Sequence, residues 1–254
     1  MPWNATVYNQ FKEERCQPFY DLIKLVQVKP NLTVIDLGCG TGELTGKLAD
    51  ALPGSFVTGI DSSLQMLLEA GKLANGQVIF QQQTIEEFLE SPIKWNIIFS
   101  NAALHWVNGH ASLFPRLIAM LQPGGQLAVQ MPSNHTHLTH TLIQSIAAAE
   151  PFKTALSGFS LQSPVLTISQ YAEILFTHGG QNITIFEKAY PHVLPDAAAL
   201  VKWTQGTVLV PYMERLDANM QDVFLKEYTR QIEGHFPGKP VFYPFKRILL
   251  HAVF

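Results

Sequence analysis

Short apolar runs alternate with amphipathic segments through the first half of the chain. Thr33 to Leu37 is a β-rich run that stops at glycine, and Glu43 to Leu52 follows with helical spacing. Phe56 to Ile60 is a second strand-like run, ended by Asp61-Ser62-Ser63, which can cap a helix from Leu64 to Leu73. Val78 to Gln82 is a third, before a short helix near Ile85 to Leu89. Trp95 to Ser100 is a fourth, and the helix Ser112 to Leu121 stops at Pro123-Gly124-Gly125. Gln126 to Gln130 is the fifth, closed by Met131-Pro132. Strands that do not alternate polar and apolar residues suit a sheet buried on both faces. The spacing therefore predicts an α/β fold, a doubly wound and mostly parallel sheet flanked by helices.

Beyond Pro132 the pattern weakens. Thr136 to Ala149, Ser169 to His178, Asp196 to Gln205 and Met213 to Glu233 read as helices. Asn182 to Tyr190 reads as a strand after Gly179-Gly180, and Ile248 to Phe254 as a closing one. We expect one domain over residues 1–254, with a helical N-terminal segment 1–28 and a small, mainly helical lid drawn roughly from 150–170 and 192–240.

Composition narrows the function classes. With 254 residues, 47% of them apolar and 15% charged, the chain can build a sizeable core. A net charge of −3 and scattered Lys and Arg argue against a nucleic-acid footprint or a basic membrane face. A small molecule is the expected partner. Cys16 and Cys39 are the only cysteines, and Cys39 falls in a glycine-rich loop where a disulfide would obstruct a ligand. Both read as reduced thiols of a cytoplasmic protein. Lys12 to Arg15 precede any long apolar run, which argues against a signal peptide. Leu117 to Ala149 lacks Asp, Glu, Lys and Arg, yet Pro123, Gly124, Gly125 and Pro132 break it too often for a membrane helix.

The first strand runs into Asp36-Leu37-Gly38-Cys39-Gly40-Thr41-Gly42-Glu43. Gly38 and Gly40 allow a sharp turn with room for a ligand beside the main chain, and Gly42 leads into a helix whose N-terminus favours a carboxylate. A dinucleotide fingerprint would need a third glycine at position 43, where Glu43 would repel a pyrophosphate. The pattern instead suits a zwitterion, with Asp36 facing an ammonium group and loop N–H groups facing a carboxylate. A plain tight turn is the alternative. Asp61, about 20 residues on, can accept from ribose hydroxyls. It could also cap the next helix, although Ser62 or Ser63 can fill that role.

Further residues complete a pocket. Met66 and Ile85 could sandwich an adenine, or simply pack the core, while Thr84 could offer the base a hydroxyl. Asn101-Ala102-Ala103-Leu104-His105-Trp106 follows the fourth strand. Its small alanines would admit the amino-acid part of a cofactor, and His105 and Trp106 would look toward the substrate. Trp203 and Tyr212 could line an aromatic pocket or anchor the lid. His135, His137 and His140 lack a nearby Cys or carboxylate and read as helix-start residues rather than metal ligands.

Val34 to Gly42, Gly59-Ile60-Asp61 and Leu121 to Gly125 together resemble class I S-adenosylmethionine-dependent methyltransferases. A narrower set is similar to the trans-aconitate methyltransferase group. It comprises Trp3-Asn4 with Tyr8, Phe11, Arg15 and Pro18; Gly59 to Ser63 with Met66; Asn101 to Trp106; and Ala128 to Pro132. Weaker echoes run through Trp203 to Tyr212 and Tyr243-Pro244-Phe245-Lys246-Arg247. The resemblance implies a seven-stranded Rossmann-like sheet and a carboxylate O-methyltransferase using S-adenosylmethionine. It places Asp36, Gly38, Cys39, Gly40, Thr41, Gly42, Asp61, Ser62, Met66, Thr84, Ile85, Asn101, Ala102 and Arg15 at the cofactor. The substrate would meet Tyr8, Trp106, Met131, Trp203 and Tyr212.

Three positions depart from that group. Thr84 replaces an acidic residue, His105 replaces Gln, and Val210 stands where an Arg would suit an anionic substrate. Valine cannot pair with a carboxylate as Arg does. Methylation of a carboxylate needs alignment rather than a base; a hydroxyl or amine acceptor would make His105 the first candidate base. The alternatives are a methyltransferase for a carrier-bound or lipid-like acid, of the biotin-precursor type, and a catalytically inactive cofactor-binding protein.

Overall fold

The computed structural model describes residues 12–254, with side chains from residue 16 onward. Seven strands form one sheet in the order β3-β2-β1-β4-β5-β7-β6. They are β1 (Thr33–Leu37), β2 (Phe56–Asp61), β3 (Val78–Gln82), β4 (Trp95–Asn101), β5 (Leu121–Pro132), β6 (Gln181–Leu194) and β7 (Val241–Val253). The pairs from β3 through β5 are parallel, whereas β5 and β7 are antiparallel. This is the doubly wound, mostly parallel sheet that the alternating pattern predicts.

Before β1 lies α1 (Lys12–Ile23), and between the strands lie α2 (Glu43–Asp50), α3 (Leu64–Ala70), α4 (Ile85–Phe88), α5 (His110–Ala119), α6 (Leu138–Ala148), α7 (Phe152–Ala155), α8 (Ile168–Thr177), α9 (Ala197–Gln205), α10 (Val210–Met213) and α11 (Ala218–His235). None of the described helices is long and apolar enough to cross a membrane.

The chain divides into two compact units. One comprises Cys16–Pro132, Pro164–Lys188 and Arg247–Phe254 and holds most of the sheet. On one sheet face, Ile35, Leu37, Ile98, Leu127, Val129, Ile248 and Leu250 pack with Phe114, Leu117 and Tyr171 of α5 and α8. On the other face Phe19 of α1 meets Phe99 edge-on, with ring centroids 5.7 Å apart. The second unit includes Ser133–Ser163 and Ala189–Lys246 and has its own core. There Phe152, Trp203, Tyr212, Phe224, Tyr228 and Tyr243 are buried together.

Several boundaries differ from those read in the sequence, each for a local reason. The helix expected from Met213 to Glu233 begins only at Ala218, α10 ending at Met213, because Asp217 adopts extended backbone and caps α11 by accepting from Met220 N–H at 2.8 Å. Strand β5 begins at Leu121 and runs through Pro123-Gly124-Gly125, with its register against β4 shifted between Trp95 and Ile97. Strand β7 begins at Val241, not Ile248. Its first half alternates buried Val241, Tyr243 and Phe245 with more accessible residues, the period-two signature of a strand.

Candidate active site

The glycine loop joins β1 to α2. Its bend is built by alternate glycines in left-handed backbone, Gly38 at φ +75°, Gly40 at +56° and Gly42 at +75°. Amides of Gly38 and Cys39 both donate to the Ile60 carbonyl at 2.9 Å, tying the loop to the end of β2. A Cβ on Gly38 would lie 2.2 Å from that of Ala103, and one on Gly42 would strike the Phe80 ring at 2.5 Å. One on Gly40 would meet nothing within 4 Å among the described residues. The loop is packed at both ends and open in the middle, and no side chain caps α2 behind it.

Asp61 holds that loop in place. Its Oδ2 accepts from Gly40 N–H and its Oδ1 from Ser63 N–H, each at 2.9 Å. Ser63, not Asp61, is the N-cap of α3, accepting from Met66 N–H at 3.4 Å. An ionised carboxylate offers about four lone-pair sites, so two backbone bonds leave capacity for a ribose diol. Ser62 is exposed and Thr41 stands at the outer edge of the loop.

Asp36 is 5% exposed at the end of β1. The Thr45 hydroxyl donates to its Oδ2 at 2.6 Å. Burial pushes the carboxyl up to about 6; the Thr45 bond opposes this and the charge of Asp61 adds to it. A cation brought to this carboxylate would reverse the burial effect. Cys39 is buried, and burial pushes its thiol well above the usual range, which leaves it packing rather than reacting.

Thr84 caps α4 in a reciprocal box, accepting from Glu87 N–H at 3.1 Å while Glu87 accepts from Thr84 N–H at 2.8 Å. Its hydroxyl keeps a proton to donate. Ile85 and Met66 are half-buried, Ile85 against the sheet core. Ala102, just past β4, adopts φ +58°, a conformation that costs an L-residue about 1–2 kcal/mol. Its amide donates to the Gln130 carbonyl at 2.9 Å, which holds the strained turn.

The 3₁₀ turn Leu104–Trp106 carries His105 and Trp106. His110 anchors it from below: a carbonyl can only accept, so its Nε2–H donates to Leu104 O at 2.9 Å, leaving Nδ1 to accept from the Tyr171 hydroxyl. Tyr171 in turn accepts from Leu166 N–H at 3.1 Å. His105 Nδ1 is buried and makes no hydrogen bond. Burial, then the charges of Arg247 and His110, pull its pKa down to about 3, so the ring is neutral near pH 7. Trp106, its ring centroid 4.7 Å from that of His105, is 54% exposed.

The pairing registers align a polar row on one sheet face. Asp36 pairs with Phe99, Asn101 with Gln130, and Pro132 with Arg247. Residues paired or two apart share a face, so Asp36, Asn101, Gln130 and Arg247 all project from the same side at the carboxyl ends of β1, β4 and β5. The Gln130 amide donates to Asn101 Oδ1 at 2.8 Å, and its oxygen accepts from Arg247 Nη1 at 3.1 Å. Arg247 is 5% exposed. Neither Gln130 nor Arg247 stood out as a site residue in the sequence. The available signal was a charge set against the apolar run Ile248 to Leu250.

Other expected contacts lie elsewhere. Trp203 is 2% exposed and Tyr212 fully buried in the core of the second unit, where the Tyr212 hydroxyl accepts from Leu161 N–H at 2.9 Å. Both are core residues rather than exposed pocket walls. Met131 is likewise buried, its sulfur 3.6 Å from the Tyr171 hydroxyl oxygen. His137 caps α6, accepting from Thr139 N–H at 3.2 Å. Val210 opens α10 and is half-buried. Trp3, Asn4, Tyr8, Phe11 and the Arg15 side chain lie outside the described residues.

A buried carboxylate for an ammonium, an open glycine turn for a carboxylate, and a further acid placed for a ribose fit an amino-acid nucleoside. A methyltransferase-domain family model matches residues 28–179. The chain belongs to the S-adenosylmethionine-dependent methyltransferases, and S-adenosylmethionine is its cofactor. Within that class it is 44% identical to a trans-aconitate 2-methyltransferase of Deinococcus radiodurans, covering 99% of this chain and 98% of that one. It is 35% identical to a trans-aconitate 2-methyltransferase of Variovorax paradoxus, over 93% of this chain and 91% of the relative. The fold is shared with an S-adenosylmethionine-dependent methyltransferase from Mesorhizobium loti, at 18% identity and a TM-score of 0.53, over 92% of this chain and 96% of that one.

Proposed function

We propose that this methyltransferase esterifies a carboxylate of a small organic acid of the trans-aconitate kind. The observation that carries the reading is the state of His105. It is the first candidate base of the Asn101–Trp106 segment, yet its Nδ1 is enclosed with no hydrogen-bond partner among the described residues to orient or charge it, and burial pulls the half-buried ring down to about 3. A base that weak gives little help to a hydroxyl or an ammonium acceptor. A carboxylate is already ionised at neutral pH and needs only alignment in a dry setting. The names of the relatives at 44% and 35% identity support the same acceptor.

When bound, S-adenosylmethionine supplies a methyl group on a sulfonium, open to attack by a carboxylate oxygen. On our reading Asp61 takes the ribose hydroxyls and Asp36 the ammonium group. The open turn at Gly40 admits the amino-acid carboxylate, Cys39, Thr41 and Gly42 complete the loop, and Arg15 adds a cation to this end of the cofactor. Met66 and Ile85 flank the adenine, with Ser62 and Thr84 as its polar neighbours. Asn101 and Ala102 line the methionine part. The 3₁₀ turn presents Trp106 to the acceptor and keeps His105 neutral beside it, and Tyr8 meets the acceptor from the N-terminal segment. Cys16 and Cys39, neither of them in a disulfide, suit a cytoplasmic setting.

The test is release of S-adenosylhomocysteine during incubation with S-adenosylmethionine and a panel of acids, alcohols and amines. Turnover with trans-aconitate or a related acid is expected. Turnover confined to alcohols or amines overturns the assignment.

A further inference from the structure

We propose that His110 and Tyr171 are positioning residues, a hydrogen-bonded pair that sets where Trp106 stands in the acceptor-facing turn. The proposal rests on the reading above that this turn meets the acceptor, and it adds two residues that act through the turn.

A three-residue 3₁₀ turn has little stability of its own. In Leu104–Trp106 the Trp106 N–H donates to the Ala103 carbonyl at 3.0 Å, and the Val107 N–H to that of Leu104 at 2.9 Å. The turn also follows Ala102, whose left-handed φ of +58° is strained. Such a turn needs a tie from outside. His110 supplies it from the core side: its ring is 1% exposed and its Nε2–H donates to the Leu104 carbonyl at 2.9 Å. Trp106, on the same turn, is 54% exposed.

The imidazole is held from its other edge as well. Nδ1 accepts from the Tyr171 hydroxyl, and that oxygen accepts in turn from Leu166 N–H at 3.1 Å. The protons of Leu166 N–H, Tyr171 O–H and His110 Nε2–H all point the same way along the series, which fixes tautomer and ring angle together. Met131 sulfur, 3.6 Å from the hydroxyl oxygen, is too weak an acceptor to draw that proton away from an imidazole nitrogen. Burial lowers the His110 pKa and raises that of Tyr171, so both stay neutral near pH 7 and the series keeps its direction.

Stability alone does not call for these residue types. Buried polar partners replaced together by apolar groups of the same shape cost almost nothing, and Tyr171 already packs on Phe114 with ring centroids 4.8 Å apart. Hydrogen bonds add direction: an apolar contact lets the Leu104 backbone slide, whereas a bonded carbonyl stays in place. A misplacement of about 1 Å at reacting groups costs about 100-fold in rate. A turn that presents its outer side chain to an acceptor therefore gains from a fixed inner edge.

The test reads the turn directly. Full-length protein labelled with 5-fluorotryptophan carries one fluorine on each of its four tryptophans, and Trp106→Phe identifies the resonance of Trp106. In Tyr171→Phe, which keeps the ring against Phe114, and in His110→Leu, that resonance should shift or broaden while the other three stay. His110→Gln, whose amide N–H can take the place of Nε2–H, should restore it. With S-adenosylmethionine and trans-aconitate, kcat should fall about 10-fold or more in Tyr171→Phe and His110→Leu and recover in His110→Gln, S-adenosylhomocysteine affinity staying within about 2-fold throughout. Should the Leu variant fail to fold, Tyr171→Phe decides. An unmoved Trp106 resonance, four resonances that move together, or a wild-type kcat despite a moved resonance overturns the proposal. So does an equal loss of S-adenosylhomocysteine affinity, which would assign the pair to the cofactor side. A wild type that forms no ester from trans-aconitate would remove the acid-methylating reading instead, and the resonance alone would then decide for the pair.

Discussion

Asp61 Oδ2 accepts the backbone N–H of Gly40 at 2.9 Å, joining the end of β2 to the middle of the glycine loop. One side chain thereby shapes the loop, and on the proposed reading it also takes the ribose hydroxyls. The two roles separate by substitution. Asp61→Asn keeps one side-chain oxygen and removes the charge, so the protein should melt within a few degrees of wild type. Its S-adenosylhomocysteine affinity should fall about 10-fold, as expected when a charge-assisted bond becomes a neutral one. Asp61→Ala should lose both. Calorimetric affinity beside a thermal melt decides, and unchanged affinity in both variants would refute the ribose assignment.

Two glycines of the same loop should fail differently. Gly38→Ala meets Ala103 at 2.2 Å and must also hold φ +75°, so it should destabilise the fold by about 2–4 kcal/mol. Gly40→Ala carries only the left-handed penalty, about 1–2 kcal/mol, because its Cβ meets none of the described residues. Its larger effect should be on cofactor affinity. A Gly40→Ala protein that binds S-adenosylmethionine normally would show that the open side of the loop is not the ligand side.

Asp36 gives a pH dependence with a definite sign. Its carboxyl is raised to about 6 from 3.8, so the folded state holds this proton more tightly than the unfolded chain does. Its contribution to stability is greatest below pH 4 and declines as pH rises from about 4 to 6. The total is about 3 kcal/mol, from about 1.4 kcal/mol per unit of pKa. In the difference between wild-type and Asp36→Asn melting curves, that decline should be visible and confined to this window. An ammonium partner prefers the ionised form, so wild-type affinity for S-adenosylmethionine should rise from pH 5 to 7 and that of the variant should stay flat. Parallel affinity curves would contradict the contact.

Burial, with the charges of Arg247 and His110, pulls His105 down to about 3. Acid methylation should therefore show no pH limb near 6.5 attributable to it, and His105→Gln should keep kcat within about 3-fold. A neutral-range limb that vanishes in the variant would make the imidazole a working base. On stability the sign is the reverse of that for Asp36. A histidine depressed by burial favours the folded state fully above pH 6.5, and that contribution is lost as pH falls toward 3.

What the sequence made legible is what backbone chemistry dictates locally. Glycines at 38, 40 and 42 announced a turn and a helix start, and the three glycines adopt the left-handed backbone such a turn needs. Strands β1 and β3 have the limits read from their apolar runs, Thr33–Leu37 and Val78–Gln82. Residues whose meaning comes from distant partners stayed hidden. Gln130 is one of a series of strand residues until β7 brings Arg247 beside it, 117 positions along the chain. Trp203 and Tyr212 carried an aromatic signal that pocket and core share, and only packing around His192 and Phe224 resolves it in favour of core. Ala102 offered no warning of its left-handed backbone beyond its small size.

The chemical nature of the product tests the central claim most directly. The purified protein is incubated with methyl-labelled S-adenosylmethionine and trans-aconitate, and the product is treated with mild alkali. A carboxylate ester predicts that the label leaves as methanol, one for each S-adenosylhomocysteine formed. Label that stays on the acceptor after alkali, as in an ether or a methylamine, would contradict carboxylate methylation.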